Sequence, residues 1–214
     1  MANKNTFKTI IEGTMKRGEL PSDVLESREW YRRKAKDIKT VRRTKSQRIL
    51  KIGRQNKRMK PTIKGRVMLG KMFMFEYDPK MKESLPYYDK FPLIFPIAAD
   101  EEGFLGINLH YLPHTWRAIL MDNLYDLLTN EDMDESTRLR LFNNGYTILK
   151  KSAKYRYFRP CVKKYLFEQV SSRFMEVPPD EWEIALFLPL ERFHGVTRRK
   201  VWNDTRRNFK KGMK

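Results

Sequence analysis

The chain has 214 residues, 40% of them hydrophobic, with 45 Lys and Arg against 26 Asp and Glu for a formal charge of +19. That length and apolar content suffice for one ordinary core with extensions, and a charge excess of this size is foreign to a housekeeping enzyme and attracts polyanions. Cys161 is the sole cysteine, which excludes an internal disulfide and a Cys-based zinc site within one chain. No run approaches the roughly 20 apolar residues that span a bilayer, and residues 1–17 lack the apolar stretch of a signal peptide. The chain is therefore expected to be soluble, in a reducing compartment, and to stay where it is made.

In chain order, Phe7, Ile10, Ile11, Thr14 and Met15 follow the i, i+3, i+4, i+7, i+8 spacing of an amphipathic helix that Gly18 and Pro21 end. Ser22 is placed to cap a second helix, with Val24, Tyr31, Ala35 and Ile38 on one side and Arg28, Arg32, Arg33 and Lys36 around the rest. Over residues 40–64 the apolar residues thin out and Gly53 and Pro61 interrupt, which reads as an extended arm or linker that orders when bound. The character changes at Gly65. Residues 67–77 are apolar on both faces, as in a buried strand, and residues 78–80 make a turn.

Residues 91–98 predict a second strand, which Pro92 and Pro96 assign to an edge or a kink. Residues 100–103 form a hairpin turn and 104–109 the returning strand. Pro113 opens a helix whose stripe of Leu112, Trp116, Ile119, Leu120, Leu124, Leu127 and Leu128 runs to Asn130. A further helix is predicted over 134–152 from Leu139, Phe142, Tyr146, Leu149 and Ala153, and another from Pro160 with Val162, Leu166 and Val170 inward. Residues 182–190 alternate as a strand that completes the sheet. The expected fold class is α+β: a small antiparallel, barrel-like sheet with a helical subdomain and basic N-terminal helices and arm. Its divisions are basic helices and arm at 1–64, a folded core at 65–191 and a basic C-terminal tail at 192–214.

The charge is unevenly placed. Residues 28–66 hold 17 Lys and Arg against only Glu29 and Asp37, a net +15; residues 192–214 hold 9 against Asp204, a net +8; everything else sums to −4. Cations this dense repel one another unless counter-charge is supplied. Nucleic-acid phosphate is the expected partner, with an anionic membrane or an acidic protein surface as alternatives; the membrane is disfavoured because no apolar helix face accompanies the charge. The candidate nucleic-acid contacts are Arg32, Arg33, Lys36, Arg42, Arg43, Lys45, Arg48, Lys51, Arg54, Lys57, Arg58 and Lys60, then Arg198, Arg199, Lys200, Arg206 and Arg207. Tyr87 and Tyr88, in a turn, are candidate contact aromatics, whereas Phe73, Phe75 and Phe104 are assigned to core packing.

Residues for chemistry are scarce. His110 and His114 are four apart, but Pro113 lies between them and no Glu follows His110 as in a zinc protease, so both are read as flanking a strand-to-helix turn. Asp100, Glu101 and Glu102 fall at a hairpin tip, where acids are solvated. Gly103 and Gly106 lack the Lys and helix start of a phosphate loop, and no Ser, His and Asp arrangement marks a nucleophile. No catalytic residue, metal, cofactor or small-molecule substrate is expected, and the chain reads as a non-enzyme.

Three central runs carry a family resemblance. They are Gly70-Lys71-Met72-Phe73-Met74-Phe75-Glu76-Tyr77-Asp78-Pro79-Lys80, Leu85-Pro86-Tyr87-Tyr88-Asp89-Lys90-Phe91-Pro92-Leu93, and Gly103-Phe104-Leu105-Gly106-Ile107-Asn108-Leu109-His110-Tyr111-Leu112. Together with Glu181-Trp182-Glu183-Ile184-Ala185-Leu186-Phe187-Leu188-Pro189 and Val201-Trp202-Asn203-Asp204, over about two thirds of the chain, they resemble the DNA end protector proteins of contractile-tailed bacteriophages. The resemblance implies a late virion protein of the head or neck that binds the ends of the packaged linear genome, shields them from host exonuclease after injection, and takes part in head completion. It assigns no contact residue by residue and carries over no catalytic motif. The alternative is a structural portal or neck protein whose basic arms bind neighbouring subunits.

Overall fold

Residues Met72 to Phe75 are apolar at every position, so a strand built from them must have both of its faces covered. The structure, a computed structural model, describes residues 6–18, 71–128, 159–183 and 193–211, together with the helical positions Glu29, Arg32, Arg33, Lys34, Lys36, Arg140, Asn144, Thr147 and Lys151. Strands β1 (Met72–Met74), β2 (Leu93–Ala99), β3 (Gly103–Asn108), β4 (Val162–Leu166) and β5 (Met175–Val177) form one antiparallel sheet in the order β4-β3-β2-β1-β5. Because side chains alternate across a strand, Met72, Met74, Leu93, Phe95 and Ile107 enter a large core, while Phe73, Phe75, Ile94, Phe104 and Tyr165 enter a second, aromatic one. Helices α1 (Thr6–Lys16), α2 (His114–Leu128) and α3 (Arg198–Lys211) all contribute to the large core, and the segment carrying Phe167, Val170 and Phe174 packs on the aromatic one. The chain is thus α+β, with a sheet covered on both sides.

The helix α1 forms as its spacing predicts, with Phe7, Ile11 and Thr14 buried and Ile10 partly so, but Met15, assigned to the same face, is exposed; Gly18 ends the helix at a φ of 73°. Its first turn is held from outside. The backbone N–H groups of Phe7 and Lys8 donate to Asp122 Oδ1 and Oδ2 at 2.8 and 3.1 Å, so a carboxylate on α2 satisfies two donors that a helix start leaves unpaired. Phe7 also meets Tyr125 edge-on at 5.1 Å. The first helix is therefore part of the core, and Lys16 and Arg17 at its end are exposed.

Several expectations are corrected. The sheet is open, with β4 and β5 at its edges among the described residues, so no barrel closes. β2 is interior, and Pro96 is tolerated there because β1 reaches only Leu93 and Ile94 and the register with β3 shifts between Pro96 and Ala98, the kink anticipated for it. Residues 159–170 are not a helix: Arg159–Cys161 is a 3-10 turn and β4 follows. There the i, i+4 spacing of Val162 and Leu166 loses to strand pairing, sealed by Tyr165 stacked on Phe104 at 5.3 Å. Trp182 and Glu183 are helical rather than extended, and the buried Trp182 donates its indole N–H to the Val177 carbonyl at 3.1 Å; residues 184–190 lie outside the described residues. So do residues 40–64 and the strand residues predicted before Lys71. Arg140, Asn144, Thr147 and Lys151 are helical and exposed, the polar face of the helix predicted over 134–152.

The β2–β3 turn shows why its residues are there. Asp100 Oδ1 accepts from the N–H groups of Glu102 and Gly103 at 3.0 and 2.7 Å, and its own N–H donates to the Gly103 carbonyl. A Cβ at Gly103 would stand 2.0 Å from the backbone oxygen of Tyr165 on β4. Gly103→Ala must therefore push β4 off β3, and we expect it to cost about 3 kcal/mol, read as a fall in the urea midpoint at unchanged slope.

Candidate nucleic-acid interface

The basic C-terminal segment contains a docked helix. At 100° per residue, Arg199, Lys200, Asn203, Arg206 and Arg207 of α3 share one arc of about 120°, and all five are exposed. Val201 and Thr205, on the other side, are buried, with Arg198 and Trp202 half-buried beside them. The cationic arc runs about 12 Å along the helix axis, at 1.5 Å per residue. Four like charges in two turns repel, so what fixes this helix is its inner face and not its propensity.

The anchor is chemically specific. Trp202 donates its indole N–H to the His110 carbonyl at 2.9 Å, the guanidinium groups of Arg117 and Arg198 lie 5.7 and 5.8 Å from its ring, and His114 meets it edge-on. Arg117, fully buried, also donates to the carbonyls of Leu112 and His110. The Thr197 carbonyl accepts from the N–H groups of Lys200 and Val201 and starts the helix after a turn in which Gly195 has a φ of 85°. At the outer edge of the arc, the acid Asp204 accepts a hydrogen bond from the Tyr87 hydroxyl.

Beneath this anchor lies a buried polar network. Asp89 Oδ2 accepts from Asn108 Nδ2 at 2.9 Å and pairs with His110 Nδ1 at 2.6 Å, while Oδ1 accepts from the Phe91 N–H at 3.2 Å. Asn108 also donates to the Tyr165 hydroxyl and accepts from the His110 N–H. The Asp89–His110 pair has the partners of a catalytic relay, yet the His110 ring is fully buried and shut off from solvent. Burial pushes the Tyr165 hydroxyl well above its ordinary range and the Cys161 thiol up to about 12, which leaves that thiol protonated and unreactive. Among the described residues no group of His, Cys, Asp or Glu is arranged to hold a metal ion.

Burial, aided by the charges of Arg117 and Arg198, pushes His114 down to about 2. A base depressed in the folded state stabilises the fold above its unfolded value near 6.5, and that stability drains away as pH falls toward the folded value. Between pH 7 and pH 5 the expected loss from this one group is about 2 kcal/mol. Urea midpoints at the two pH values measure it, and His114→Gln should flatten the dependence.

The remaining candidates divide sharply. Arg32, Arg33 and Lys36 are exposed and helical, and Lys34, on the far side of that turn from Arg32, pairs with Glu181 at 2.8 Å and ties the turn to the core. Arg42, Arg43, Lys45, Arg48, Lys51, Arg54, Lys57, Arg58 and Lys60 lie outside the described residues. Tyr87 packs its ring against Phe193 and Tyr111, at 5.8 and 6.3 Å, and so faces the core. Tyr88 instead stacks on His194, a residue that the charge and spacing patterns do not single out. The signal available for it was an aromatic ring beside a Gly turn at the foot of a basic helix.

A covered antiparallel sheet bearing a helix whose outer face is cationic defines a small α+β protein with a basic surface. The family model of the phage T4 terminal DNA protecting protein matches residues 9–206, and the chain belongs to that family. No curated protein and no solved structure matches it. Among the described residues no helix is long and apolar enough to cross a membrane.

Proposed function

We propose that this protein holds the ends of a linear duplex genome with its basic segments and keeps host exonuclease off them, acting by occupancy and without catalysis. The observation that carries this reading is α3, whose inner face is locked to the core while Arg199, Lys200, Arg206 and Arg207 face outward. Its 12 Å arc, against one phosphate per 3.4 Å of each strand, covers about 3 to 4 phosphates. Residues 28–66, at +15, supply the larger share of cations, from Arg32, Arg33 and Lys36 through the run Arg42 to Lys60. Phosphate contacts fix position without reading sequence, which suits a protein that must cover an end whatever its bases. The test is equilibrium binding to a linear duplex and to a relaxed circle of the same sequence at fixed salt. Tighter binding to the linear form is expected; equal affinities contradict end recognition.

The same reading places the protein in the virion head or neck, and in the host cytoplasm during assembly and after injection, with a part in head completion. The chain outside the basic segments sums to −4, so it does not itself draw phosphate, and the exposed Met81 and Leu85 offer apolar contact to a head, neck or portal subunit. Locating the chain in a virion particle tests this placement; a copy found away from every head and neck subunit contradicts it.

A further inference from the structure

Cations alone hold a duplex anywhere along its length, because each backbone phosphate resembles the next. An end differs from the interior in its terminal 5′ and 3′ groups and in its last base pair, which presents an uncovered, flat aromatic face. The structure carries a surface shaped for such a face. Tyr88 and His194 are stacked with ring centroids 5.2 Å apart and planes only 11° from parallel. Tyr88 is half-buried and His194 exposed, so the imidazole has one face on Tyr88 and the residue open to solvent.

The stack is firmly mounted next to the cationic helix. The His194 N–H donates to the Tyr88 carbonyl at 2.9 Å, and the adjoining residues Asp89 and Phe193 form a β-bridge. Tyr87, the other neighbour of Tyr88, is in ring contact with Phe193 and donates to Asp204 on α3. From His194 the chain turns through Gly195 and enters α3 four residues later. Core aromatics need no ligand to explain them, whereas this pair lies at the surface with its supports on both sides already satisfied.

Resting on the reading that the protein binds DNA ends, we infer that the Tyr88–His194 stack is the platform on which the terminal base pair seats, while α3 grips the phosphates behind it. Stacking is sequence-tolerant because every base has a π-face, so the platform distinguishes end from interior without distinguishing one end sequence from another.

The experiment uses the full chain and three DNAs of one sequence at one salt concentration: a blunt linear duplex, the same duplex with both ends closed by hairpin loops, and a circle. Replacing Tyr88→Ala and His194→Ala together is expected to lower affinity for blunt ends by about 5- to 150-fold, the range of one stacked base, and to leave circle binding unchanged. The pair Tyr88→Phe and His194→Phe keeps flat rings and is expected to retain the blunt-end preference. His194→Ala alone, at an exposed position, gives the same test if the half-buried Tyr88 proves needed for folding. A blunt-over-hairpin ratio unchanged in the Ala variants overturns the platform while the end-binding reading stands. A wild-type protein that binds linear and circular DNA equally overturns both.

Discussion

Replacing Arg199, Lys200, Arg206 and Arg207 together by Ala is expected to reduce the slope of log affinity against log salt by about 3 to 4, and to weaken duplex binding at 50 mM salt by about 10⁴- to 10⁵-fold. Each cation on a phosphate releases close to one counterion, so neutralising four of them takes about 0.9 apiece from the slope, and the affinity change follows by extrapolation from molar salt. The fold should survive. All four side chains are exposed, Ala is the best helix former, and the like-charge repulsion along the arc is relieved. Arg198→Ala is the informative contrast: its guanidinium lies over Trp202, so it should act through packing and leave the slope nearly unchanged. A quadruple variant that binds with the wild-type slope would mean that the arc faces something other than phosphate.

Asp89→Ala is expected to be the most destabilising single change, at about 3 to 5 kcal/mol. The residue is buried, and its carboxylate is the acceptor for Asn108 Nδ2 and the Phe91 N–H and the partner of His110 Nδ1. Removing it strands those groups in a low dielectric, where an unmade hydrogen bond costs its full desolvation. For a chain of this size the loss corresponds to a fall of about 6 to 20 °C in Tm. The effect should reach α3, because the His110 carbonyl holds the Trp202 indole and the His110 ring is the one Asp89 fixes. Near-ultraviolet circular dichroism and a urea titration measure both consequences. A midpoint within about 1 kcal/mol of wild type would show that the network is dispensable.

What the sequence made legible was mostly local. The spacing of Phe7 and Ile11 marked α1, the Asp100–Gly103 turn marked the hairpin, and the leucine stripe after Pro113 marked α2, because in each case the residues that decide the structure are near neighbours. β4 was misread because Val162, Leu166 and Val170 satisfy a helical spacing, and the deciding partner, β3, lies about sixty residues away. β5 is three residues long and is fixed by pairing with β1 some hundred residues earlier, which no local pattern reveals. Charge counting found the basic C-terminal segment but not its order: among the described side chains of α3 only Val201 and Thr205 are buried, one of them polar, so that inner face carries a weak signal beneath the cations. The Asp89–His110 pair and the Tyr88–His194 stack join residues 21 and 106 positions apart, and only the fold brings either together.

The measurement closest to the central claim is the lifetime of an end-labelled blunt duplex under an exonuclease, with protein at a concentration shown to saturate the DNA. The wild-type chain is expected to preserve the label, and the α3 quadruple variant at the same concentration is expected to lose it. Degradation at the unprotected rate while wild-type protein is demonstrably bound, or equal protection by the neutralised variant, would contradict it.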